Sequence, residues 1–121
     1  MEDVKVLKPI VLTDTDTGEK YELEFNLDSV KFTNRQGFKV SELTDNPEEM
    51  LPILFYGAFR MHHKNVSRQQ TDDMLINKLK GLTDAVAARL LELYAAPRNA
   101  LVRAEDDEDG GAKNATMVAE I

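Results

Sequence analysis

His62 and His63 are the only imidazoles in the chain, and Asp16-Thr17-Gly18 is the tripeptide that aspartic proteases use. Adjacent helical residues point about 100° apart, so the two histidines lack the shared face that ligands four residues apart would have, and no metal site is expected from them. With Lys64 they suit the C-terminal end of a helix, where positive charge meets the dipole. The protease chemistry needs two carboxylates sharing a proton in a shielded loop. Here Thr13, Asp14, Thr15, Glu19 and Lys20 surround the tripeptide, which is hairpin-turn composition. Asp14, Asp16, Glu19 and Glu22 offer oxygens to a hard cation, but Gly18 stands where the third ligand of a helix-flanked calcium loop belongs. No nucleophile elbow or phosphate loop is present, so the chain reads as a non-enzyme with no catalytic residue, metal or cofactor.

The remaining chemistry is adhesive. From Met50 to Met61 the apolar residues cover most of a helix circumference. Within it Phe55, Tyr56, Phe59 and Met61 are candidates for a partner-binding face, since aromatics and Met dominate adaptable interfaces; packing in the core is the competing use. A helix apolar nearly all round must be surrounded, which predicts self-association if one small body cannot cover it.

The elements that position these residues form an α+β chain. Val4, Val6, Leu7, Ile10, Val11 and Leu12 read as a first strand, with Pro9 inside it forcing an edge or a bulge. Tyr21, Leu23, Phe25 and Leu27 alternate with polar residues as a second, so the N-terminus is a β-hairpin. About four helices follow. Asn26 or Asp28 caps a short one running to about Gln36, ended by Gly37 with Phe38 folding back, and with Val30 and Phe32 or Thr33 inward. Asn46-Pro47-Glu48-Glu49 starts the main helix, in which Pro52 predicts a kink or a fresh start. Ser67 with Gln70 opens a third over roughly 68–80, stopped by Gly81, and Thr83 with Asp84 opens a fourth that Pro97 interrupts.

A length of 121 residues without Cys fits one domain over 1–103 that needs no disulfide. Residues 1–103 are nearly neutral at −2, whereas 104–121 carry −5 in Glu105-Asp106-Asp107-Glu108-Asp109, Lys113 and Glu120. That density of like charge predicts a disordered acidic tail. A net charge of −7 argues against nucleic-acid and anionic-membrane partners. The sequence has no apolar run of the roughly 20 residues that span a bilayer, and its start lacks the pattern of a secretory signal.

Four stretches carry a resemblance: Tyr21-Glu22-Leu23-Glu24-Phe25-Asn26 leading into Val30-Lys31-Phe32; Gln36-Gly37-Phe38; Leu51-Pro52-Ile53-Leu54-Phe55-Tyr56-Gly57-Ala58-Phe59-Arg60-Met61-His62-His63-Lys64-Asn65-Val66-Ser67; and Leu93-Tyr94-Ala95-Ala96-Pro97-Arg98-Asn99-Ala100-Leu101. On these, over roughly residues 9–102, the chain resembles the tail assembly chaperones of tailed bacteriophages and prophages. The resemblance implies a homo-oligomeric protein in the cytoplasm of an infected or lysogenic bacterium. Its client is the tape measure protein, which it coats during virion morphogenesis, and a frameshifted longer form is common in such proteins. A structural virion component, either a tail terminator or a connector subunit, and a small regulatory protein-binding module are the alternatives.

Overall fold

Asp14 builds the first turn. Its Oδ1 accepts from the Asp16 N–H at 2.9 Å and the Thr17 N–H at 3.4 Å, while Gly18 takes φ +80° and donates to the Asp14 carbonyl. In the computed structural model, which describes residues 7–102 together with 117 and 119, this turn joins β1 (Ile10–Thr13) to β2 (Lys20–Leu23). The strands pair antiparallel from Ile10 opposite Leu23 to Thr13 opposite Lys20. β1 begins one residue after Pro9, so the proline lies outside the ladder it could not donate to. Residues 4–6 of the expected first strand fall outside the described residues. β2 stops at Leu23 although the alternation continues, because Leu27 already opens a helix and Phe25 reaches the core from the connection between them.

α1 (Leu27–Arg35) is capped as its sequence predicts. The Asn26 side chain accepts from the Ser29 N–H, and the Ser29 hydroxyl accepts from the Asn26 N–H, which satisfies two orphan donors. Gly37 at φ +105° ends the turn and Phe38 folds back into the core. Val30 and Thr33 face inward and Phe32 does not.

α2 (Pro47–Phe59) runs through Pro52 as one continuous helix, so of the expected kink or fresh start the fresh start does not occur. The bond that Pro52 cannot make concerns the Glu48 carbonyl, which lies in the exposed first turn of the helix, open to solvent. α3 is shorter than the expected 68–80. It spans Arg68–Asp73, opened by a Ser67–Gln70 capping box, and passes into a π-helical turn over Met74–Lys78. There the Leu79 N–H reaches the Met74 carbonyl at 2.7 Å, and Lys80 and Gly81 follow with positive φ. α4 (Asp84–Asn99), capped by the Thr83 hydroxyl on the Val86 N–H, outlasts Pro97 by two residues.

β2, α1, α3 and α4 all pack on α2. One chain therefore covers the side of α2 that carries Ile53, Leu54, Phe55, Ala58 and Phe59, while Leu51, Pro52 and Tyr56 stay half-buried. Leu54, Phe55, Ala58 and Phe59 form the centre of the core with Leu23, Leu90, Leu93 and Tyr94. α1 and α2 come close at Gly57, where an added Cβ would lie 1.8 Å from the Thr33 Oγ1. The architecture is an α+β hairpin followed by four helices. Apart from 117 and 119, the acidic tail expected over 104–121 lies outside the described residues. Among the described residues no helix is long and apolar enough to cross a membrane.

Candidate functional site

A helix turns about 100° per residue, so four aromatic and Met positions spread along α2 and just past its end cannot share one face. Phe55 is 0% and Phe59 1% exposed, and their rings meet edge to face at 5.1 Å inside the core. As partner-binding candidates these two are corrected to core residues, because β2, α1, α3 and α4 enclose the side of α2 that carries them. Tyr56 and Met61 are only half-buried. The structure thus divides the expected quartet into two structural rings and two surface residues.

Beside Tyr56 the surface gains residues from α1. The Phe32 ring packs against the Tyr56 ring at 5.4 Å, and the Arg60 guanidinium lies 4.5 Å from the centre of the Phe32 ring. That distance is within the range where a cation is held by the ring's negative face. Phe32 is half-buried: Val30 and Thr33 turn inward on α1, which leaves position 32 on the helix flank facing the end of α2.

Phe32 and Arg60, but not Tyr56, line a cleft of about 300 Å³ between α1 and the segment after α2. Lys31, Arg35, Arg60 and Lys64 line it against a single acid, Asp28, with Phe32 and Met61 as its apolar part. Lys31, Arg35 and Lys64 make no ion pair with another described residue. In a chain of net charge −7 this is a local reversal of sign. A cleft lined by one sign of charge with low-dielectric walls concentrates its field. The arrangement can hold a segment that presents apolar side chains to Phe32, Tyr56 and Met61 and carboxylates to the four cations.

The sequence carried a partial signal for this site. Asp28, Lys31, Phe32 and Arg35 recur at helical spacing on α1, but their convergence with Arg60 and Lys64 depends on how α1 crosses α2. The histidines follow the end of α2 as expected, but their rings serve another contact. The His63 N–H caps the Phe59 carbonyl at 2.7 Å, yet its Nε2 accepts from the Glu22 N–H at 2.9 Å, and His62 Nε2 lies 2.8 Å from Glu24 Oε1. Their rings therefore latch the hairpin to the end of α2 instead of sitting on the helix axis. Asp16, the acid of the protease-like tripeptide, stays in the exposed hairpin turn.

A family described as a domain of unknown function, DUF5055, matches residues 4–121, and the chain belongs to it. No curated protein and no solved structure matches the chain.

Proposed function

From membership in a family whose description assigns no activity, we propose that this protein is a tail assembly chaperone of a tailed phage or prophage, which coats and solubilises the tape measure protein. The resemblance of residues 9–102 to such chaperones suggests the client. The observation that carries the reading is the mixed face of Phe32, Tyr56, Arg60 and Met61 beside its four-cation cleft. A long helical client with apolar and acidic positions needs both halves of such a face. Each contact is weak, and linking many copies along one client multiplies the affinity without any new contact. Aromatic rings with a stacked Arg are the residue types that dominate interface energies. The chaperone acts by binding alone, and self-association of the coat is part of the same reading.

Co-expression with the tape measure protein, with client solubility as readout, tests this. Wild-type chain is expected to move the client into the soluble fraction, and the double variant Tyr56→Ala with Arg60→Ala is expected to lose that effect while keeping its helical circular dichroism. A client that stays insoluble with wild-type chain, or a folded double variant that works as well as wild type, removes the proposal.

A further inference from the structure

Glu22 and Glu24 stand two residues apart in extended chain, so both side chains leave the same face. His62, from the segment after α2, brings Nε2 to 2.8 Å from Glu24 Oε1 and 3.9 Å from Glu22 Oε2. The three ligand atoms all lie within 4.8 Å of one another. The backbone beneath them is pinned at both positions: the Glu22 N–H donates to His63 Nε2 at 2.9 Å and the Glu24 N–H to the Ala58 carbonyl at 3.1 Å. Among the described residues neither carboxylate has a Lys or Arg ion pair, so the only group of opposite charge available to them is His62 itself when protonated. Two carboxylates held this close favour a cation between them.

We infer that Glu22, Glu24 and His62 bind a divalent transition cation of the zinc class. One imidazole and two carboxylates form a mixed nitrogen and oxygen set that suits borderline ions, whereas Mg²⁺ and Ca²⁺ favour oxygen alone and Cu(I) favours sulfur. Zinc ligands at about 2.0–2.2 Å in tetrahedral geometry lie roughly 3.4 Å apart. That spacing falls between the two His62–carboxylate separations of 2.8 and 3.9 Å, and the two carboxylate oxygens lie within 4.8 Å of each other, so side-chain rotations can close the site. The side chains are 48%, 30% and 32% exposed for Glu22, Glu24 and His62, which leaves the fourth position to water. The bound ion joins residues forty apart in sequence and staples the hairpin to the end of α2, so it stabilises the folded chain over the unfolded one. This site makes no use of the aromatic face and stands or falls independently of the chaperone function.

Calorimetric titration of the full-length protein with ZnCl₂ is the test. One ion per chain is expected, with a thermal midpoint that rises as zinc is added. His62→Ala and the pair Glu22→Gln with Glu24→Gln should each weaken binding by at least ~10-fold. Asp106→Asn with Asp107→Asn, in the acidic run, should leave it unchanged. Absence of saturable heat, or binding that follows the acidic run and ignores His62, overturns the inference. Should a variant lose its circular dichroism, wild-type imidazole NMR decides: zinc must move the His62 resonances, and a zinc-induced shift of His63 without one in His62 counts against the site.

Discussion

Phe55 and Tyr56 are adjacent, yet one helical step carries the first ring into a closed core and the second to a half-buried position against the Phe32 ring. Phe55→Ala should therefore lower stability by about 3–5 kcal/mol, the cost of emptying a well-packed aromatic site. Denaturant unfolding measures this. Tyr56→Ala should cost clearly less and appear mainly as lost client solubilisation, because its ring is only partly buried. Equal stability losses in the two variants would place Tyr56 in the core as well. At the hairpin turn, the Lys78 ammonium 2.6 Å from Asp14 Oδ2, helped by the Asp16 N–H, holds the Asp14 carboxyl below the usual range, and Asp14 in turn raises Lys78. A depressed carboxylate contributes stability that is present above its unfolded value of about 3.9 and is lost as pH falls through the folded value. A raised lysine contributes stability that is present below its unfolded value of about 10.4 and is lost as pH climbs through the folded one. The thermal midpoint of wild type should thus fall at both extremes, and Asp14→Asn should flatten both limbs. Melts from acid to alkaline pH compare the two proteins, and unchanged limbs in the variant would mean that this exposed pair adds nothing measurable.

At the scale of elements, α1 and α2 approach closely only because Gly57 lacks a Cβ. Gly57→Ala would gain about 1 kcal/mol of helix propensity. Against it stands a Cβ 1.8 Å from Thr33 Oγ1 and 2.8 Å from Thr33 Cβ. Thr33 cannot swing away, being fully buried with its hydroxyl bonded to the Ser29 carbonyl at 2.7 Å. Overpacking of this kind costs about 1–3 kcal/mol or more, so the net effect should be destabilising. Adding Thr33→Ala removes the hydroxyl and methyl but keeps the Cβ, and should recover part of the loss; a double-mutant cycle by chemical denaturation reads the coupling. Additive losses would mean that the helices simply move apart. The same contrast between local and distant causes explains what could be read from sequence. Caps at Asn26, Ser67 and Thr83 and the left-handed Gly37 are local chemistry, and each appears where its residues predict it. The π-helical turn after Asp73 has no such signal. It keeps Leu75 buried with Met74 partly covered, and it places Lys78 against Asp14, 64 residues away in sequence. Pro97 and, for a fresh helix start, Pro52 misled for the opposite reason: each removes one bond within a turn or two of a helix end, and the rest of the helix holds.

At the scale of the whole molecule, the folded body buries most of the helix whose apolar circumference had suggested a need for partners, so any self-association must use what stays at the surface. Ile76, 64% exposed on the π-helical turn, is the candidate. It borders an open apolar groove of about 570 Å³ formed with Leu51, Pro52, Leu75 and Leu82. This groove lies on residues other than those of the cationic cleft at Phe32, so subunits can join through one surface and leave the other for a client. Specific dimers usually bury about 800 Å² per partner, more than the groove alone supplies, and Val11 and Leu79 are further exposed apolar residues that a larger contact could cover. Light scattering at tens of micromolar is expected to give a mass that is a multiple of 13.6 kDa for wild type. Ile76→Asp puts a charge that must be desolvated into that contact, and should return the mass to the monomer value with unchanged circular dichroism. A wild-type monomer at this concentration would count against a coat of linked subunits. An Ile76→Asp protein that remains oligomeric would move the contact away from the π-helical turn and leave the exposed Val11 of the hairpin as the next apolar surface to substitute.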